Sequence, residues 1–433
     1  MNDVCESDAV VQSRDLISCH ECDALHRKVP LARGAKAKCS RCGAFLYKSY
    51  PHGLDWPLAL ALGALGLFLV AHVFPFMSLK IEGRIEENLV ASGVGAMWDA
   101  HMPELAVLVA LTSIVFPLLN ILGLLWLLLP RRMGFVAPGA VTVAKIMHTL
   151  GPWSLLAVFM LGVLVAFVKL LDLATVIPGT SMFAFAALML VATAANASFH
   201  PELIWPESEK DKSWPVADIG EHATAEQHGL LVCHLCHALT PADASGVHTR
   251  CHRCGSTLHS HRKHNSLTRT WALVIAAAIL VIPANVYPVM TVIQFGQGEP
   301  STIMSGVLLL IAQGMWGLAM IVFVASVVVP LMKLALLVYL LVSVQRRSAW
   351  RPADRTRLYR VTEVVGAWSM VDIFLVAILS AIVNLDALAS IEPGIGASFF
   401  GAVVVITMFA ALSFDPRLIW DHAMVRTSQG RPA

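Results

Sequence analysis

The feature that most constrains this chain is that it is written twice. Six sequence blocks recur in order at an offset of 212 to 215 residues. The pair Cys19 and Cys22 answers to Cys233 and Cys236, and Cys39 with Cys42 answers to Cys251 with Cys254. Val73–Met77 (V-F-P-F-M) answers to Val286–Met290 (V-Y-P-V-M), and Phe116–Leu119 answers to Val329–Met332. Gly151–Ser154 matches Gly366–Ser369, and His200–Trp205 matches Asp415–Trp420. Chance supplies one such block, not six in register, so the repeat organises the fold.

Each copy reads as a cysteine module followed by four apolar runs. The first copy offers Trp56–Leu79, Leu105–Leu129, Leu150–Leu171 and Pro178–Ala197. The second offers Thr270–Ile293, Gly314–Val342, Val365–Leu385 and Ile395–Phe414. A hydrocarbon core of about 30 Å takes about 20 helical residues, and each run is long enough. Charged residues are only 14% of the chain, against about 25% in soluble domains. Mean hydropathy is +0.69. A soluble enzyme and a disordered chain are both excluded. The net charge of +2 leaves no large basic surface, so nucleic acid is not an expected partner.

The expected fold class is an all-α polytopic membrane protein. It has two parallel repeats of four transmembrane helices, each preceded by a small cytoplasmic four-cysteine zinc ribbon. The expected division is a disordered tail (1–17), ribbon 1 (18–50), transmembrane repeat 1 (51–205), a linker (206–228), ribbon 2 (229–262), transmembrane repeat 2 (263–421) and a C-terminal tail (422–433). Four spans per copy is an even number, so both copies enter the membrane with the same orientation. Arg131, Arg132 and Lys145 follow the second run, and Arg346, Arg347, Arg351, Arg355, Arg357 and Arg360 follow the sixth. The alternate loops are nearly bare of cations. The positive-inside rule then puts both termini and both ribbons in the cytoplasm. No basic start followed by an apolar core precedes these runs, so no cleavable signal peptide is expected.

The modules read Cys-x2-Cys-x16-Cys-x2-Cys and Cys-x2-Cys-x14-Cys-x2-Cys. Each pair supplies two thiolates on one tight turn, which suits a tetrahedral four-thiolate site. The expected ligands are Cys19, Cys22, Cys39 and Cys42 for one ion, and Cys233, Cys236, Cys251 and Cys254 for the other. Two Zn2+ ions are the expected cofactors, with rubredoxin-type iron as the alternative. A four-thiolate site has no open position, so it reads as structural. Cys5 is left over as a free thiol. His20, His234, His237 and His252 read as solvated loop residues.

Ionisable residues inside apolar runs are costly and mark function. Lys333 in the sixth run and Asp372 in the seventh lie at similar depth, with Ser326, Ser369 and Thr407 adding hydroxyls. By the repeat offset, Asn120 takes the place of Lys333 and Ala157 that of Asp372. Lys169 and Asp172 lie three apart on the third run and form the second candidate pair. No phosphate-binding loop, H-E-x-x-H or G-x-S-x-G motif is present, and no enzyme is expected.

The tandem of four-cysteine ribbon plus four spans, with its V-F-P-F-M and V-Y-P-V-M blocks, resembles the paraquat-inducible protein A family, the LetA/PqiA-like inner-membrane proteins of Gram-negative bacteria. The resemblance covers about Ser18 to Asp421. It implies a role in lipid transport between inner and outer membranes. It also implies an envelope-spanning partner, an MCE-domain tunnel protein of the periplasm, with phospholipid or another lipid as cargo. Two competing readings remain on the residues alone. One is a proton-coupled exporter of small toxic molecules using the Lys/Asp pairs. The other is a membrane redox protein with iron in the ribbons.

Overall fold

The computed structural model describes residues 11–49, 53–81, 84–171, 175–200, 203–206, 212–216, 220, 223–242, 250–258, 262–263, 265–294, 297–382 and 389–421. It is mostly helical. The first half contains α1 (Asp55–Val73), α2 (Ser92–Asp99), α3 (Pro103–Ala110), α4 (Phe116–Arg132), α5 (Ala140–Leu150), α6 (Leu156–Leu171) and α7 (Thr180–Ser198). The second contains α8 (Ser266–Val286), α9 (Ile303–Ala312), α10 (Trp316–Phe323), α11 (Val329–Gln345), α12 (Pro352–Trp368), α13 (Val371–Ile382) and α14 (Ile395–Ser413).

Seven helical segments among the described residues are long and apolar enough to cross a membrane: Asp55–Val73, Pro103–Arg132, Ala140–Phe167, Thr180–Ser198, Ser266–Val286, Ala319–Gln345 and Ile395–Ser413. The eighth expected run, Val365–Leu385, is divided. α12 is charged as far as Glu363 and ends at Trp368, and the apolar α13 has only 12 residues. Residues 383–385 of that run lie outside the described residues.

Two of these spans, Pro103–Arg132 and Ala319–Gln345, share a device. Five residues of π-helix, Leu111–Val115 and Val324–Val328, join α3 to α4 and α10 to α11. Pro117 and Pro330 follow at the start of the next α-segment. Proline has no N–H to give and crowds the preceding turn, so the helix widens there.

The structure corrects the all-α expectation. α1 and α8 end at Val73 and Val286, short of the expected Leu79 and Ile293, because Pro75 and Pro288 stop them. The chain then turns extended. Met77–Ile81 pairs antiparallel with Arg84–Asn88 on one side and Thr175–Pro178 on the other. Met290–Gln294 pairs in the same way with Gln297–Ser301 and Ala389–Pro393. Each small sheet is closed by a glycine. A Cβ on Gly179 would sit 2.1 Å from the Pro75 carbonyl oxygen, and one on Gly394 would sit 2.3 Å from that of Pro288.

α1 packs along α7, and α8 along α14. The halves meet where α13 lies against α2 and α6. Small residues permit the approach. A Cβ on Gly162 would touch the Phe374 Cβ at 3.0 Å, and one on Gly93 would reach the Ala377 carbonyl oxygen at 3.3 Å. One apolar core therefore runs through both halves, including Phe68, Phe159, Phe185, Phe374 and Phe400.

Parts of the expected tail and linker are paired with each other. Val11–Gln12 forms a short antiparallel ladder with Pro215–Val216. Leu16, Leu25, Val216, Ala225, Leu230 and Leu239 then bury a shared cluster that joins the two cysteine modules.

Candidate functional site

Each module is built from two knuckles of one design. Hairpin Leu16–Ser18 with Leu25–Arg27 carries Cys19 and Cys22, and Lys36–Lys38 with Phe45–Lys48 carries Cys39 and Cys42. In the second module, Leu230–Val232 with Leu239–Pro241 carries Cys233 and Cys236, and the bridge from Arg250 to Thr257 flanks Cys251 and Cys254. The residue after each second cysteine is left-handed: Asp23 (φ 61°), Gly43 (73°), His237 (56°) and Gly255 (75°). In each knuckle its N–H donates to the carbonyl of the first cysteine, at 2.9 Å in all four. That turn points both sulfurs inward. Glycine suits the position because it lacks a Cβ.

The eight thiols are buried and unbridged. Within each set, all four sulfurs lie within 4.8 Å of one another. Cys19–Cys42 is 3.4 Å, Cys22–Cys39 3.5 Å, Cys233–Cys254 3.6 Å and Cys236–Cys251 3.4 Å. A tetrahedral ion with metal–sulfur bonds of about 2.3 Å sets its ligands about 3.8 Å apart. Hydrogen bonds from Cys19 and Cys22 hold Cys39 and Cys42 below the usual thiol range, and those from Cys236 and Cys251 do so for Cys233, while the four donors are themselves pushed above it. Partial thiolate character is what cation binding needs. Both clusters can hold a metal ion. Cys5 lies outside the described residues. Of the knuckle histidines, His252 is engaged: Nδ1 meets Thr240 Oγ1 at 3.1 Å, and its ring abuts Trp214.

Each module docks on the opposite half. The first packs its cysteines against Leu337, Leu341, Tyr359, Phe414 and Trp420. The second packs against Leu124, Leu128, Ala140, Met147 and Trp205. The fastenings differ. Glu21, between Cys19 and Cys22, receives Arg360 Nε at 2.8 and 2.9 Å, together with Arg360 Nη2. Arg360 Nη2 also donates to the Cys42 carbonyl at 2.9 Å. Arg417 Nε donates to the His20 carbonyl at 3.1 Å, and Arg41 stacks over Trp420. At the corresponding places the second module has Leu235 and Lys145, whose Nζ reaches Thr257 Oγ1 at 3.4 Å. Glu21 and Arg360 escaped the sequence reading. The repeat offset pairs them with Leu235 and Lys145, and that break in the repeat was their only signal.

Lys333 lies on α11, 1% exposed, and its Nζ has no hydrogen-bond partner among the described residues. It reaches α12 at Gly366, where an added Cβ would stand 2.5 Å from Nζ. Ser326, Ser369 and Thr407 are buried. Ser326 donates to the Val322 carbonyl at 2.7 Å, and Thr407 to that of Val404 at 2.9 Å, so both hydroxyls are spent on their own helices. Asp372 sits on α13 and Lys169 on α6, but their side chains lie outside the described ones, as does all of Asp172.

In the first half, Asn120 occupies the place of Lys333. It is 7% exposed, and its Oδ1 has no partner among the described residues. Asn120 lines a cavity of about 620 Å³ that runs past Ser154 and Asn196 to His148, His234 and His237.

A mostly helical chain with seven candidate membrane spans and two buried four-cysteine clusters is a multi-pass membrane protein that can bind metal. A match to "Paraquat-inducible protein A" covers residues 54–209 and 267–424, and the chain belongs to that family. It is 33% identical over 411 residues to the intermembrane transport protein PqiA of Escherichia coli K12, covering 94% of this chain and 95% of that one. It is 30% identical to the lipophilic envelope-spanning tunnel protein A of the same organism, covering 94% and 91%. It is 26% identical to a probable intermembrane transport protein of Haemophilus influenzae, covering 94% and 95%. No solved structure matches the chain.

Proposed function

We propose that this protein is the inner-membrane component of an intermembrane lipid-transport system, passing lipid to or from a periplasmic MCE-domain tunnel. The relatives' names as intermembrane transport and envelope-spanning tunnel proteins support a transport role. The single observation that carries the reading is Lys333. An ammonium 1% exposed, in a helix apolar enough to span a membrane, is too costly to keep unless something uses it. In this reading Lys333 acts with Asp372, while Ser326 and Thr407 stay bonded to their own helices, and Lys169 with Asp172 forms the second polar pair. Proton exchange within these groups would couple a gradient to opening and closing.

The two halves are parallel repeats, and both modules are zinc ribbons on the cytoplasmic side. Support comes from the modules' contacts with the cationic loops: Glu21 with Arg360, and Lys145 with Thr257. Tags at either terminus or in the Arg346–Arg360 loop should report cytoplasmic, and tags near Gly296 or Gly394 periplasmic.

The test expresses Lys333→Ala, Asp372→Asn, Lys169→Ala and Asp172→Asn in a strain lacking the gene. Membrane abundance is measured beside resistance to detergent. Working charges give normal abundance and failed protection. Four abundant and fully protective variants would defeat the reading.

A further inference from the structure

We propose that the first-half cavity binds the headgroup of a phospholipid, with the phosphate at its histidines and a terminal ammonium or hydroxyl at Asn120. The proposal rests on the transport reading and deepens it, because it gives the lipid a site away from Lys333.

The size fits first. About 620 Å³ lies within the range of roughly 300–1,000 Å³ usual for small-ligand sites. It suits a headgroup with its glycerol better than two full acyl chains.

His148 on α5 lies close to His234 and His237 on the second module, and Asn120 on α4 lines the same cavity. No carboxylate, lysine or arginine lines the cavity among the described residues. An imidazole presents at least one N–H in either charge state, so these histidines donate hydrogen bonds and repel no anion. Arg417 and Lys263 stand close enough for their positive fields to act on His234. A phosphodiester is the matching chemistry, since it accepts several hydrogen bonds and carries one negative charge.

Asn120 points independently to a ligand. Its buried Oδ1 is an acceptor with no donor among the described residues, and a buried acceptor is expensive to leave unmade. Nearby polar groups do not answer it. Asn196 Nδ2 donates to the Ala192 carbonyl at 3.0 Å, and Thr193 Oγ1 to that of Met189 at 2.7 Å. A headgroup ending in an ammonium or hydroxyl supplies the donor. The offset partner Lys333 is a cation, so the two halves present opposite hydrogen-bonding characters at one place in the fold. The first half is built to accept from its ligand.

The experiment uses the full chain in nanodiscs containing phosphatidylethanolamine with a photoactivatable diazirine beside its glycerol. Cross-linked peptides are read by mass spectrometry. Label should fall on α4–α6. Ala157→Trp, which fills the cavity from a solvent-accessible wall position, should reduce it about tenfold. Asn120→Leu should weaken it by about 2- to 10-fold, the usual loss for one hydrogen bond. The same diazirine on diacylglycerol, which lacks the phosphate, should label the cavity poorly. Excess soluble glycerophosphoethanolamine carries the whole group the cavity recognises and should lower the labelling, and labelling that it leaves unchanged counts against headgroup recognition. Ala157→Leu, a smaller plug, replaces the tryptophan variant should that melt early. Unchanged labelling in the plugged variants, or equal labelling by diacylglycerol, overturns the proposal. Label confined to α8–α14 removes this site and spares the transport reading, whereas label nowhere in the chain removes both.

Discussion

Replacing Arg360 with alanine separates the two ways in which the cysteine modules are fastened. The Glu21 side chain is 9% exposed and Arg360 30% exposed. Burial alone would raise the Glu21 carboxyl. The bonds from His20 and Arg360 outweigh it and leave the carboxyl below its usual range. Arg360→Ala leaves the buried carboxylate only the longer contact with His20, at 3.6 Å, and breaking a buried pair costs up to about 3–5 kcal/mol. Glu21→Leu installs what the second module already has at Leu235, and leaves a guanidinium that still bonds the Cys42 carbonyl and reaches water. Arg360 is part-exposed, so its charge is left to water, and replacing both partners of a buried pair by apolar groups is often close to neutral. The assay is hydrogen exchange of peptides covering Leu16–Lys48 in the detergent-solubilised, metal-loaded protein. Arg360→Ala should speed exchange there by up to roughly 10²- to 4 × 10³-fold, since about 1.4 kcal/mol is a factor of ten. Glu21→Leu should change it by less than about tenfold, and adding Glu21→Leu to Arg360→Ala should restore most of the protection. If Glu21→Leu proves as damaging as Arg360→Ala, the ion pair is not the clasp described here.

Three further outcomes are expected. Purified protein should carry two zinc ions per chain, one for each four-cysteine cluster; Cys19→Ser or Cys233→Ser should lower membrane abundance, and elemental analysis showing one metal or none in fully reduced, folded protein contradicts this. Gly366→Ala should cost no more than about 1 kcal/mol, because the new Cβ meets the Nζ end of the flexible Lys333 side chain, which can give way; a melting series that finds a loss of several kcal/mol, persisting in a Lys333→Met background, refutes this. Gly394→Ala should abolish the folded protein, because its Cβ would meet backbone at Pro288, which cannot swing aside as a side chain can; normal yield and melting temperature would show that the second small sheet is not so close.

Much of this architecture was legible in the residue order because the relevant physics is local or periodic. Apolar runs of membrane length specify helices wherever no water can satisfy the backbone. A Cys-x2-Cys knuckle closes within a few residues, so the grouping of eight cysteines into two clusters of four followed from spacing, with Gly43 and Gly255 marking two of the four left-handed turns. The ends of α1 and α8 were misread as continuous helix, although Pro75 and Pro288 stood there and Met77–Ile81 alternates as a strand does.

What only the tertiary structure decided depends on partners distant in sequence. The third strand of each small sheet arrives about a hundred residues after the first, and backbone pairing leaves little trace in side-chain type. Glu21 meets Arg360 across 339 positions, and each module settles on the half that its own sequence does not precede. Gly366 meets the distant Lys333, a contact that no spacing rule expresses. The cavity is the clearest case. Asn120, Ser154, Asn196 and His234 are ordinary polar residues along the chain, and only the packing of α4 to α7 under the second cysteine module brings them around one cavity. Sequence thus specified which segments are apolar and which cysteines cluster. Three-dimensional packing chose which polar groups were left buried without partners, because that depends on how every neighbouring helix comes to rest.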